Sequence, residues 1–153
     1  MRMRRHLSPL LTWGLVVLVV LGVGCGQGGV SAGATVSVYV AAPLCEEARR
    51  ELKTAGAQAV MVHAICLAPV QRDRRVRLAV AGSNARRATE DSTSVAFLES
   101  PGPAAGFSRR IVESADIAWV ETSSAAPVVR RVLHAVADAD DSSLRDAVRE
   151  SLG

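Results

Sequence analysis

Cys45 and Cys66 are the residues whose type and spacing most directly suggest chemistry. They enclose about 20 residues, a loop for which a disulfide contributes roughly 3 kcal/mol in the chain-entropy description. In an oxidising compartment the pair reads as that bridge, and in a reducing one as two buried thiols. The three histidines, His6, His63 and His134, stand far apart with no cysteine or carboxylate cluster beside them. A bound metal needs such a cluster, so neither a metal nor a cofactor is expected. Gly24, Gly26 and Gly29 fit GxGxxG in spacing, but they open no helix behind a strand, so the dinucleotide reading fails. The sequence has no P-loop, GxSxG or CxxC, and no residue set points to an enzyme. Arg86-Arg87, Arg109-Arg110 and Arg130-Arg131 lie on polar sides of helical patterns near acids, which is the signature of a solvated face.

The N-terminus decides the compartment. Met1 to Arg5 is basic, and an apolar run follows from Leu10 to Val23. Such a run of about 14 residues falls short of the roughly 20 that span a bilayer. A basic start, a short apolar stretch and small residues at its end make a secretory signal, which favours the bridged form of the cysteines. An uncleaved anchor is the alternative if residues from Leu7 are recruited. The junction Leu21-Gly-Val-Gly-Cys25 resembles a bacterial lipoprotein box, although Gly22 stands where that pattern has leucine. The resemblance implies a leader of residues 1–24, diacylation of Cys25 and a flexible tether over residues 25–34, with the membrane reached through the lipid. Ala32-Gly-Ala34 is a competing cleavage site that would release a soluble protein.

Removing the arginines of the leader leaves 15 basic against 15 acidic residues, so the high pI gives no argument for nucleic acid. The remainder, from Cys25 to Gly153, is one modest domain. Thr35 to Val40 alternates and is β-branched, which predicts a strand, and Ala42-Pro43 closes it. Glu46 to Ala55 reads as a helix stopped by Gly56. Further strands are expected at Ala59–Leu67, Ser94–Leu98 and Ile117–Val120. Helices are expected at Val76–Asp91, Ala104–Ala115 and Pro127–Ala139, with a weak point at Gly82. Ser143 to Asp146 has the form of a capping box opening a last helix, with Leu144, Val148 and Leu152 as its stripe.

Strands alternating with helices predict an α/β domain over residues 35–153: a four-stranded parallel sheet with helices on both faces. The loops Ala41–Pro43, Ala68–Val70, Glu99–Pro103 and Glu121–Ala126 then share one edge, where open α/β sheets bind ligands.

Val38-Tyr-Val-Ala-Ala-Pro43, the run from Ser83 to Ser92 and Val95-Ala-Phe-Leu-Glu-Ser100 resemble actinobacterial type I periplasmic solute-binding proteins, relatives of the leucine-binding receptors of ABC importers. The tail from Val132 to Asp140 resembles the C-terminal region of that family. Its members have two lobes, whereas this chain has the pattern of one. The resemblance implies a single Rossmann-like lobe that weakly binds a small polar or amino-acid-like ligand, serving an ABC transporter permease from the outer face of the cytoplasmic membrane. By position it implies ligand contacts at Ser100, Ala104, Ala105, Thr122, Ser123 and Ser124. Hydroxyls and free N–H groups near helix starts suit a carboxylate, although serines there also cap helices. The alternatives are a non-binding envelope interaction module, a homodimer that supplies the missing lobe, and a degenerate remnant.

Overall fold

A computed structural model describes residues 33–59, 61–71, 73–139 and 143–153. The expected leader, Cys25 and all but the last two residues of the expected tether lie outside the described residues. The element order is β1 (Val36–Val40), α1 (Ala42–Ala55), a short 3-10 helix (Gly56–Ala59), β2 (Val62–Cys66) and α2 (Arg74–Glu90). It continues with β3 (Ser94–Glu99), α3 (Ala105–Glu113), β4 (Ala118–Glu121), α4 (Ala126–Asp138) and α5 (Leu144–Leu152). The strands form one parallel sheet in the order β2-β1-β3-β4. The α/β class, the parallel sheet and its helical flanks are therefore as the sequence pattern predicts.

The sheet divides two cores because side chains alternate across it. Val36, Val38 and Val40 of β1 face one way and pack with Leu44 and Ala48 of α1, Val128, Val129 and Val132 of α4, and Leu144 and Val148 of α5. Tyr39 and Phe97 face the other way, onto Ala85 and Ala88 of α2 and Val112 of α3. Thus α1, α4 and α5 cover one face, and α2 and α3 cover the other. β1 and β3 are central and buried along their whole length, as their apolar runs require.

Two local readings change. Helix α1 begins at Ala42, with Pro43 inside its first turn. Proline suits that position, since the missing N–H is one the first turn leaves unbonded and its fixed φ is helical. The residues expected to close the strand therefore start the helix. Ser143 precedes α5 but makes no side-chain cap, so the capping box is not formed. Asp146 is bonded to Arg149 instead, at 2.7 Å. Gly82, the expected weak point of its helix, is also a contact point between helices. A Cβ there would lie 3.2 Å from Cε1 of Phe107 on α3. The Phe107 ring is 46% exposed and can swing aside. Gly82→Ala should therefore keep most of the helix-propensity gain and raise stability by about 0.5 kcal/mol in urea unfolding. A loss of similar size would mean that the ring is held in place.

The N-terminal edge of the sheet carries a polar knot. The Tyr39 hydroxyl donates to Oδ2 of Asp91 at 2.9 Å, while Oδ1 of Asp91 accepts from the Thr93 N–H and hydroxyl. Burial, then the bond to Asp91 and its negative charge, push the Tyr39 phenol up to about 12. Burial opposes ionisation of Asp91, but the bonds from Thr93, Tyr39 and Ser37 together hold its carboxyl below the usual range. Tyr39 is the only tyrosine of the chain, so its ionisation can be followed directly by absorbance. The midpoint should lie near pH 12 in the folded protein, against about 10 after unfolding. A raised phenol pKa stabilises the fold below pH 10, and that contribution is lost as pH climbs toward 12. A folded-state midpoint near 10 would contradict the knot.

Candidate functional site

The connections after β1 and β3 leave toward opposite faces of the sheet, because α1 covers one face and α3 the other. Their divergence opens a crevice at the carboxyl ends of two adjacent strands, the position where open α/β sheets hold ligands. A cavity of about 310 Å³ occupies it. Its walls come from three connections: Ala41–Pro43 after β1, Leu67–Gln71 after β2 and Ser100–Ala105 after β3. Prolines and small aliphatic residues make most of that wall, so the lining is largely apolar. Four longer polar side chains interrupt it: Glu99, Asn84, Arg77 and Gln71.

Glu99 ends β3 and is only 7% exposed. Its two oxygens are held apart by two neutral donors: Ser108 Oγ bonds Oε1 and Trp119 Nε1 bonds Oε2, each at 3.1 Å. The parallel register sets this up, because Phe97 pairs with Trp119 and Glu99 with Glu121. Arg109 covers the Trp119 ring, its guanidinium carbon 5.2 Å from the ring centre. Burial raises the Glu99 pKa, the Trp119 and Ser108 bonds pull it down, and Glu121 pushes it up again, leaving it above the usual carboxylate range. Asn84, on the buried side of α2, gives Nδ2 to the Ala68 carbonyl at 2.9 Å and so fixes the connection after β2. Cys45 in the first turn of α1 and Cys66 at the end of β2 stand at disulfide distance, with Cα atoms 5.5 Å apart, close in sequence to the wall residues Pro43 and Leu67.

The six ligand positions expected from sequence divide into two groups. Ser100, Ala104 and Ala105 line the cavity. Thr122, Ser123 and Ser124 lie on the connection after β4 and do not line it. There the amino end of α4 is already occupied by a carboxylate of the protein. Glu47 of α1 accepts from Ser124 Oγ at 2.6 Å, from the Ala125 N–H at 3.0 Å and from the Ala126 N–H at 3.2 Å. Those bonds, the Ser124 hydroxyl first, hold the Glu47 carboxyl below its usual range. Thr122 Oγ1 turns inward on its own loop, donating to the Ser124 carbonyl and accepting from the Ser124 N–H. Neither α3 nor α4 has a serine N-cap; Ala104 and Ala125 hold those positions.

The sequence pattern places Glu99 only at the start of a loop on the ligand edge and gives Asn84 and Arg77 no role. An acid ending a buried strand that faces the ligand edge was a usable signal for Glu99. Among the described residues no group of three or more His, Cys, Asp or Glu side chains gathers as a metal site, and no helix is long and apolar enough to cross a membrane. No protein-family model, curated protein or solved structure matches the chain.

Proposed function

We propose that the chain is an exported module, anchored through a lipid on Cys25, that binds a small polar solute in the cavity between the β1 and β3 connections. In this reading it is a single-lobe relative of type I solute-binding proteins, its ligand is amino-acid-like, and an ABC importer receives the ligand. The observation that carries the reading is the cavity itself, a mostly apolar crevice at the strand-order switch with a few buried polar groups at its base. Small-ligand sites have that composition, and they fall at that place in open α/β sheets. Ser100, Ala104 and Ala105 supply the hydroxyl and helix-start groups that suit a carboxylate.

A lone lobe covers one side of its ligand, whereas good pockets bury about 70–90% of it. Affinity should therefore fall near the millimolar range. Isothermal titration with a panel of amino acids tests the reading, and no heat from any of them at millimolar concentration sinks it. Cell fractionation of the protein beside a Cys25→Ser variant tests the anchor. Loss of the membrane-bound form in the variant supports lipidation, and identical fractionation of the two forms removes it.

A further inference from the structure

We propose that the end of the domain where α2 and α3 begin is a membrane-contact surface: Val70, Val76 and Phe107 enter an anionic bilayer there, and the arginines beside them hold its headgroups. The surface needs neither a ligand in the cavity nor a lipid on Cys25.

Among the described residues, Val70, Val76 and Phe107 are the large apolar side chains left exposed, at 43%, 41% and 46%. Single exposed apolar residues are ordinary, but these three gather at one end of one layer. Val70 lies on the connection after β2, Val76 in the first turn of α2 and Phe107 in the first turn of α3. Val70 lines the cavity, and Val76 and Phe107 stand within two residues of its lining residues Arg77 and Ala105.

Charge is divided the same way. α2 and α3 carry seven arginines against two glutamates. α1, α4 and α5 carry seven basic residues against six acidic ones. A domain close to neutral thus has one cationic layer. Arg74 and Arg75 directly precede Val76. The Phe107 ring lies against Gly82, and Arg86 and Arg110 stand one helical turn beyond Gly82 and Phe107. These four arginines are exposed and, among the described residues, none pairs with an acid. The nearby acids are engaged. Asp73 accepts from the N–H groups of Arg75 and Val76 at 3.0 and 3.1 Å, Glu99 is buried, and Glu113 is paired with Arg109.

Apolar side chains set among free guanidiniums match the two parts of an anionic bilayer. The acyl boundary takes the first, and the phosphates take the second. A protein partner needs a continuous face of fitting shape. Here the apolar residues come from three separate segments around an open cavity, and a fluid surface fills the space between them. A lipid on Cys25 is compatible with this contact. α2 has 17 residues and is about 26 Å long, whereas ten extended tether residues reach about 33 Å.

The test uses the full chain with Cys25→Ser and an environment-sensitive fluorescent amino acid in place of Phe107 or, as the control, of Glu150, which is exposed on α5. Phosphatidylglycerol vesicles should shift the emission at 107 to the blue and leave that at 150 unchanged. Phosphatidylcholine vesicles should move neither. Arg74→Gln combined with Arg75→Gln should raise the lipid concentration for half the shift about 25-fold, and sodium chloride at about 0.5 M should act in the same direction. Val70→Ser combined with Val76→Ser should raise it about tenfold at unchanged charge. Should either double variant not fold, the comparison of sites and lipids still decides. An uncleaved leader would tether both labelled proteins alike, and each label would still report its own surroundings. No shift at 107, or an equal shift at 150, overturns the surface. An equal shift with phosphatidylcholine overturns the role of the arginines. Polyglutamate producing the same shift at matched charge would assign the face to an acidic protein and overturn the membrane.

Discussion

Cys66→Ser, in a Cys25→Ser background, should lower the unfolding free energy of the oxidised protein by about 3 kcal/mol. Cys45 and Cys66 are 21 residues apart in sequence and at disulfide distance in the fold. The bridge would close a loop holding α1, the short 3-10 helix and all of β2. β2 is the element with most to lose. It is an edge strand paired only with β1, and of its five residues only Val62 is fully buried. Little apolar burial holds it beyond its ladder to β1, so restricting the unfolded chain should matter most there. Reduction of the parent should reproduce the loss, and reductant should leave the variant unchanged. The comparison is urea unfolding of both forms with and without dithiothreitol. Identical midpoints throughout, with both thiols open to maleimide in unreduced, denatured protein, would dispose of the bridge. Because the same two residues lie close in sequence to the Ala41–Pro43 and Leu67–Gln71 walls, ligand affinity should fall with the bridge.

The strand–helix alternation was legible because the central strands are short β-branched or aromatic runs. Pro43 misled because proline reads as a breaker, although in a first turn it is a starter. The cavity was legible in part. Ser100, Ala104 and Ala105 follow a strand at the ligand edge, and a linear pattern reveals that much. The strand order is not written in any local pattern, so the crevice between β1 and β3 could not be located, nor could the convergence of Arg77 and Asn84 on it. Ser124 shows the same limit. Its local sequence suits an anion site, but its partner is Glu47, 77 residues earlier. Which carboxylate fills a helix start is decided by packing of α1 beside α4, a tertiary fact.

Arg145→Met should cost about 2 kcal/mol, more than any surface ion pair of this protein. The guanidinium of Arg145 has no carboxylate partner among the described residues. It is spent on backbone carbonyls instead: Ser94 from Nε at 2.8 Å and Ser92 from Nη2 at 3.1 Å, with longer bonds to Ala115 and Asp91. Those carbonyls belong to the turns that enter β3 and β4, so one side chain ties α5 to the amino edge of the sheet. Removing it leaves the Ser94 carbonyl, on a fully buried residue, without this donor, while the exposed Ser92 carbonyl can turn to water and the Asp91 carbonyl keeps the Ser94 N–H. Methionine keeps the apolar stem, so the loss reports the bonds rather than the packing. Lysine, with one point charge in place of a fork, should recover less than half. The cost should be the same at pH 5 and pH 9, because its partners among the described residues are carbonyls, which do not titrate. Arg149→Met is the contrast. It breaks contacts to Asp116 and Asp146, all about half exposed or more, and should cost at most about 0.5 kcal/mol. Urea unfolding of the variants measures these values, and an Arg145→Met loss below about 0.5 kcal/mol would refute the carbonyl tie. The cavity lies at the opposite edge of the sheet, so Arg145→Met should leave its ligand affinity unchanged; an effect there would mean that the two edges are coupled through β3.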